Sequence, residues 1–222
     1  RNMKLSREKI RRAMLLYAVT DRRWTGEKTL YEQAEEALKG GATCLQLREK
    51  DMDSREFLAE ALEMKALCRR CQVPFIINDD VEIAVKCGAD GVHVGQDDMA
   101  AADVRRIIGP DMILGVSARS AAQAVFAQNS GADYLGVGAV FATETKLDAL
   151  PVSRAELQKI CEAVAVPVVA IGGITAANIA ELEGSGVDGV ALVSAIFASR
   201  DIESECRRLR RLSELMIAPD AR

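Results

Sequence analysis

Gly41-Ala42-Thr43-Cys44-Leu45-Gln46-Leu47-Arg48-Glu49-Lys50 is the stretch from which the fold is read. It runs from a glycine that ends a helical pattern, through a short turn, into a buried apolar run, and finishes in charge. Its first three residues recur. Gly88-Ala89-Asp90, Gly131-Ala132-Asp133 and Gly186-Val187-Asp188 also precede apolar runs; with starts at 41, 88, 131 and 186 the intervals are 47, 43 and 55 residues. Between copies lies a second apolar run announced by proline: Val73-Pro74, Gly109-Pro110 and Val166-Pro167. Each period therefore holds two strand–helix units.

Four periods predict eight strands, over 14–20, 43–49, 74–78, 91–95, 112–117, 134–138, 168–172 and 190–194. They are continuous Val/Ile/Leu/Gly runs, as parallel strands buried on both faces require. Helical patterns fill the gaps. Thr29…Glu32 and Ser153…Glu156 have capping-box spacing, 53–71 and 194–218 are the longest helical stretches, and 6–12 predicts a short extra helix closing the barrel bottom. The expected class is α/β, a single (β/α)8 TIM barrel over residues 1–222 with few insertions.

Composition narrows function. Hydrophobic residues make up 49% and mean hydropathy is +0.03, enough for a large core; net charge is −4 and pI about 5.3. That balance argues against a general nucleic-acid or anionic-membrane surface, so an anion site should be a local pocket. No run reaches transmembrane length. The apolar residues 13–19 follow Arg11-Arg12 but break into Thr20-Asp21-Arg22-Arg23, and read as a first strand rather than a leader. Six cysteines lie mostly in apolar or helical runs, which suggests a reducing, cytoplasmic compartment. Cys68-Arg69-Arg70-Cys71 has CxxC spacing without a second pair to complete a zinc site.

In such barrels the chemistry sits at the C-terminal strand ends, and polar residues concentrate there. Side chains alternate along a strand, so Gln46, Arg48 and Lys50 share one face while Leu47 and Glu49 share the other. Two cations leaving one strand end suggest a wall for a polyanion, because unpaired charge is costly to bury. Asn78-Asp79-Asp80 and Gln96-Asp97-Asp98 end adjacent strands, where carboxylates can share a divalent ion that also binds phosphate; equally, Asp80, Asp97 or Asp98 can cap the following helix. Gly172-Gly173 and Ser194 end the last two strands, the recurrent phosphate position of this fold, although a tight turn alone also calls for glycine. Thr143, Thr145 and Lys146 lie in the longest connection. His93, the sole histidine, sits mid-strand between valines and reads as a packed, hydrogen-bonded core residue. No Ser-His-Asp set is evident, and the site looks electrostatic.

Gln46-Leu47-Arg48-Glu49-Lys50, Asn78-Asp79-Asp80, His93-Val94-Gly95-Gln96-Asp97-Asp98, Gly115-Val116-Ser117, the segments 140–146 and 170–174, and Val193-Ser194-Ala195-Ile196 together resemble the thiamine phosphate synthase family, in order over residues 17–197. The resemblance implies a transferase that joins a hydroxymethylpyrimidine diphosphate to a hydroxyethylthiazole phosphate and releases pyrophosphate. It implies that Gln46, Leu47, Arg48, Glu49, Lys50, Asn78 and Ser117 hold the pyrimidine diphosphate. It further implies that Asp79 and Asp98 ligate Mg²⁺, that Thr143, Thr145 and Lys146 line the loop where the substrates meet, and that Gly173, Val193 and Ser194 bind the thiazole phosphate. Arg48, Lys50, Ser117 and Lys146 would be catalytic. By alternation Glu49 is the exception, reading as a structural partner. Two positions depart from the family pattern: Ala139 stands where proline is usual, and Arg119 where histidine or threonine is commoner. The expected partners are those two small molecules, with no nucleic acid or membrane, and a homo-oligomer is left open. The related thiazole tautomerase, a non-catalytic precursor-binding barrel and a generic phosphate-binding isomerase fit less well. The first lacks the full Asn-Asp-Asp signature, the second has no need of Arg48, Asp79, Asp98 and Lys146, and the third needs an acid–base pair.

Overall fold

The computed structural model describes residues 5–142 and 151–218. Strands β1 (Leu16–Val19), β2 (Cys44–Leu47), β3 (Phe75–Asn78), β4 (Gly91–Val94), β5 (Ile113–Ala118), β6 (Tyr134–Val137), β7 (Val168–Ile171) and β8 (Gly189–Leu192) pair in sequence order, all parallel, and β8 closes on β1. Around them run α1 (Arg7–Ala13), α2 (Leu30–Lys39), α3 (Ser54–Cys71), α4 (Val81–Cys87), α5 (Ala101–Ile108), α6 (Ala121–Asn129), α7 (Arg154–Ala163), α8 (Ser194–Phe197) and α9 (Ile202–Ile217). The expected (β/α)8 barrel is the observed fold.

Strand alternation separates two apolar layers. Leu16, Leu45, Leu47, Ile77, Val92, Leu114, Leu135 and Val190 point outward and pack under the helices. Tyr17, Val19, Cys44, Ile76, Ile113, Tyr134, Val169 and Ala191 fill the barrel, and Ile10, Ala13 and Met14 of α1 and its cap seal it from below. The Val, Leu, Ile and Met side chains among them each contribute roughly 1.5–3 kcal/mol by leaving water.

The recurring Gly-small-Thr/Asp stretch has a specific job at this lower rim. In each copy the third residue immediately precedes an even-numbered strand, and its side chain accepts an N–H at the start of the strand before it. Thr43 Oγ1 takes Leu16 N (2.8 Å), Asp90 Oδ2 takes Phe75 N (2.9 Å), Asp133 Oδ2 takes Leu114 N (2.9 Å), and Asp188 Oδ2 takes Val168 N (2.8 Å). The backbone returns the bond, from Thr43 N, Asp90 N, Asp133 N and Asp188 N to the carbonyls of the same four residues. An N–H left unpaired at a strand start costs a desolvation penalty, which these rings remove. The glycine two places earlier lies at φ +101° for Gly41 and Gly131, +64° for Gly88 and +90° for Gly186, a left-handed turn that other residues enter only at a cost. Polar side chains thus mark both barrel rims, not the C-terminal one alone.

Some expected elements differ. Residues 194–218 form two helices, because the chain bends after Phe197 and restarts at Asp201, whose carboxylate accepts from Ser204 N (2.9 Å). The bend lets Ile196, Phe197 and Ile202 all reach the core. The box at Thr29 is complete, with Glu32 bonding back to Thr29 N (2.7 Å). At Ser153 only half forms, since Glu156 instead accepts from Ala121 N (3.0 Å) and ties α7 to α6. Between β7 and β8 the chain makes only a 3₁₀ turn, Ile179–Leu182.

The CxxC pair does not face itself. Cys68 is buried in the core while Cys71 is exposed. Burial pushes the Cys68, Cys44 and Cys87 thiols up, and pushes those of Cys161 and Cys206 up to about 12. A thiolate is the reactive form. Native protein with a chromogenic disulfide reagent at pH 8 should therefore show one fast thiol, Cys71, and all six cysteines only after denaturation. Fast reaction of a second thiol would contradict this packing.

Candidate active site

The C-terminal rim gathers the tips of β1 to β8. Strand β2 ends at Leu47, so strict alternation stops there. Gln46 points into the barrel, buried, its Nε2 donating to Tyr17 Oη (2.8 Å). Arg48 leans toward β1: its N–H donates to Thr20 Oγ1 (3.1 Å) and its guanidinium stands 3.9 Å from Asp21. Lys50 reaches the other way, to Asp79 beyond β3 (2.5 Å). The two cations flank the rim rather than sharing one face, because the loop after Leu47 is free of the pleat.

Two of the expected contact residues turn their side chains elsewhere. Leu47 is fully buried under the helices, so its side chain does not face the mouth. Glu49 accepts from Arg22 (2.8 Å), its side chain 6% exposed, with Glu60 on the same guanidinium (2.6 Å). That pairing agrees with the alternation reading, in which Glu49 is a structural partner. Burial, joined by the neighbouring Glu49 carboxylate, pushes the Glu60 carboxyl up. The hydrogen bond to Glu49, its largest cause, raises Arg22 further above its ordinary value.

Asn78 ends β3, almost buried. Asp79 follows with φ +62°, a left-handed conformation that Asp tolerates better than most residues. It is fixed by its own N–H to His93 O (2.8 Å) and turns its carboxylate toward the loop after β4. There Asp98 Oδ2 accepts from Gly95 N (2.6 Å), and the Asp79 carboxyl lies close enough to act on it. Burial first, then Asp79, pushes the Asp98 carboxyl up, while Lys50 pulls it down. Asp80 does cap α4, accepting from Ile83 N (2.8 Å); Asp98 does not cap α5, whose N-cap Ala100 makes no side-chain bond. Among the described residues no three His, Cys, Asp or Glu side chains form a metal cage. Two carboxylates pressed together beside one lysine instead match Mg²⁺, which takes one or two carboxylates and keeps its other positions for water and phosphate.

Ser117, one residue from the end of β5, is half-buried with its hydroxyl 2.9 Å from His93 Nε2. Across the rim, Gly172 (φ +100°) and Gly173 (φ +65°) carry the chain from β7. A Cβ on Gly173 would lie 2.3 Å from Ala142 O, so the β6 and β7 loops touch backbone to backbone and the tight-turn requirement applies here. Val193 caps α8 and Ser194 opens it, exposed. Thr143, Thr145 and Lys146 lie outside the described residues.

Several further rim residues take places in the site that the sequence did not assign to them. Thr20 and Asp21 are buried polar groups. Burial raises the Asp21 carboxyl, but hydrogen bonds from Arg23 and the nearby Arg48 outweigh it and leave it below its ordinary value. Tyr17 and Tyr134 lie in apolar strand runs, and both hydroxyls belong to a buried polar chain. Only tertiary contact between β1, β4 and β6 reveals that.

The fold and rim define a parallel barrel that presents two flanking cations and a carboxylate pair at its mouth, the equipment of a phosphate-handling enzyme. The family described as thiamine monophosphate synthase matches residues 16–196, and this chain belongs to it. A thiamine-phosphate synthase of Ruminiclostridium cellulolyticum is 52% identical over 194 residues, covering 87% of this chain and 92% of its own length. One of Clostridium beijerinckii is 48% identical over 195 residues, 88% of this chain and 93% of its own. The structure of a thiamine phosphate pyrophosphorylase from Pyrococcus furiosus superposes with a TM-score of 0.87 at 38% identity, over 94% of this chain and 99% of that one.

Proposed function

We propose that this chain is a thiamine phosphate synthase, a transferase that joins 4-amino-2-methyl-5-(diphosphooxymethyl)pyrimidine to 4-methyl-5-(2-phosphooxyethyl)thiazole, or its carboxylated form, and releases pyrophosphate. The observation that carries the reading is the Asp79–Asp98 pair beside Lys50, at the rim where Arg48 also stands. Family membership over residues 16–196 supports it.

The chemistry asked of the residues is modest. The bond between the pyrimidine methylene and the diphosphate oxygen breaks, and its electron pair leaves on the diphosphate. The thiazole ring nitrogen then forms the new bond to that carbon. No protein nucleophile is required. Arg48 and Lys50 supply positive charge where negative charge gathers on the departing oxygen, and such placed charge accelerates a reaction only as far as it favours the transition state. Lys146 would add to it, with Thr143 and Thr145. Asp79 and Asp98 are the residues that would hold Mg²⁺, which when bound neutralises the leaving diphosphate. Lys50, already on Asp79, holds that carboxylate in place. Gln46, Asn78 and Ser117 would contact the pyrimidine diphosphate; Gly173, Val193 and Ser194 would hold the thiazole phosphate through backbone N–H groups and the hydroxyl.

Residues 1–222 are read as one domain acting in the cytoplasm. The closed barrel and six free cysteines support that setting, and no helix among the described residues is long and apolar enough to cross a membrane.

Purified protein incubated with both substrates and Mg²⁺ should form pyrophosphate and thiamine phosphate in equal amounts. Absence of product with both substrates and metal present would refute the assignment.

A further inference from the structure

A continuous hydrogen-bond chain crosses the barrel interior and joins two residues on separate strands of the mouth. Gln46 Nε2 donates to Tyr17 Oη (2.8 Å), Tyr17 Oη lies 2.7 Å from Tyr134 Oη, Tyr134 Oη 2.9 Å from His93 Nδ1, and His93 Nε2 2.9 Å from Ser117 Oγ. The chain thus runs through β2, β1, β6, β4 and β5. Space is cleared for it: a Cβ on Gly115 would lie 2.2 Å from the Tyr134 ring and 2.5 Å from His93 Nδ1, and one on Gly136 would lie 3.1 Å from His93 Cε1. Tyr17 and Tyr134 are essentially inaccessible, and burial raises both hydroxyls well above their ordinary range, so both keep their protons.

Each interior member has one proton to give and one place to receive. If Gln46 donates to Tyr17, the Tyr17 hydroxyl must spend its proton on Tyr134. Tyr134 must then donate to His93 Nδ1. A neutral imidazole accepting at Nδ1 carries its proton on Nε2, and donates it to Ser117 Oγ. The Ser117 hydroxyl proton is then directed away from the chain. With Gln46 Nε2 able only to donate, every later bond takes the same direction, because a tyrosine that accepted from both sides would leave its own buried hydroxyl proton unpaired.

We propose that Tyr17, Tyr134 and His93 are positioning residues that set the hydrogen-bonding polarity of the mouth, making Ser117 Oγ–H a donor and leaving the Gln46 amide oxygen as an acceptor. An aminopyrimidine presents the complement, an amino donor and ring-nitrogen acceptors. This rests on the reading that Gln46 and Ser117 contact the pyrimidine substrate. Recognition of a heterocycle by its donor–acceptor pattern then depends on groups that never touch it.

Two measurements test this. His93 is the only histidine, so its ¹⁵N-imidazole spectrum is unambiguous. The expected result in the substrate-free protein near neutral pH is a neutral ring protonated at Nε2; an Nδ1–H tautomer or an imidazolium overturns the assignment. Tyr134→Phe keeps the ring and deletes the link. It should raise the KM for the pyrimidine diphosphate about 10-fold, leave the KM for the thiazole phosphate unchanged, and move the His93 ¹⁵N shifts. Equal rises for both substrates, or no change in either, would make the chain merely structural and overturn the proposal. If the unaltered protein turns over neither substrate, the proposed activity falls by itself. The histidine spectrum, with calorimetric binding of the pyrimidine diphosphate to Tyr134→Phe, then still decides the chain.

Discussion

Asp79→Asn lowers turnover by on the order of 100- to 1,000-fold, with the protein folded and its thermal midpoint nearly unchanged. The choice of asparagine follows from the backbone. Asp79 sits at φ +62°, where alanine is strained and asparagine is tolerated. An Asp79→Ala variant would mix a lost ligand with a distorted turn. Asparagine keeps the turn and its N–H bond to His93 O, and removes only the negative charge beside Asp98 and Lys50. The lost ion pair with Lys50, half exposed, changes stability little. What disappears is one of two carboxylates able to hold Mg²⁺, so raising the metal concentration restores turnover only in part. Steady-state rates at saturating substrates across a Mg²⁺ series measure this, and unchanged kinetics would remove Asp79 from the site. Asp80→Ala is the control one residue away. It removes the α4 cap, costs about 1 kcal/mol of stability, and leaves turnover at the same order.

Arg105→Ala has the largest expected effect on stability. This guanidinium, on α5, binds four groups at the lower rim. It donates to Gly109 O (2.7 Å), Met112 O (2.8 Å), Gly131 O (2.9 Å) and the Asp133 carboxylate (2.6 Å). Asp133 in turn holds the N–H that opens the pairing of β5 with β6. Both side chains are mostly buried, at 19% and 12% exposure. Truncation leaves a carboxylate and three carbonyls short of a donor, a loss of about 3 kcal/mol. For a chain of this size that is a fall in thermal midpoint of roughly 6–12 °C. The double variant Arg105→Ala/Asp133→Ala should cost less than the sum of the single ones, since the second change removes the stranded charge. Thermal unfolding of the three variants measures it; full additivity would show that the pair does not act as a unit.

These two positions also mark how far the chain could be read before it was folded. Asp79 and Asp98 were legible as candidates because each ends a strand of a barrel, and barrels place their chemistry there. The rival reading, helix capping, was equally open for Asp80 and Asp98, and geometry split them: Asp80 caps, while Asp98 folds back onto Gly95 N near Asp79. Arg105 carried no signal, because its partners are three backbone carbonyls and a carboxylate from two separate turns. Glu49 was separable from Arg48 by alternation alone. Alternation failed for Arg48 and Lys50, which left the strand and took partners on opposite sides, Asp21 and Asp79.

The quarter-repeat, the order of strands and the identity of the rim residues belong to the sequence by itself. Turn glycines, strand-opening Thr or Asp and apolar runs of fixed length act over a few residues, and local chemistry is enough to recognise them. The tertiary structure alone decided why Thr43, Asp90, Asp133 and Asp188 recur, since each serves a neighbouring strand 15–27 residues away. It alone decided that Tyr17, Tyr134 and His93 form one polar line between Gln46 and Ser117. A hydrogen bond is satisfied by whichever group the closed barrel brings within 3 Å, and closure joins residues as far apart as 17 and 134. No local pattern encodes that distance.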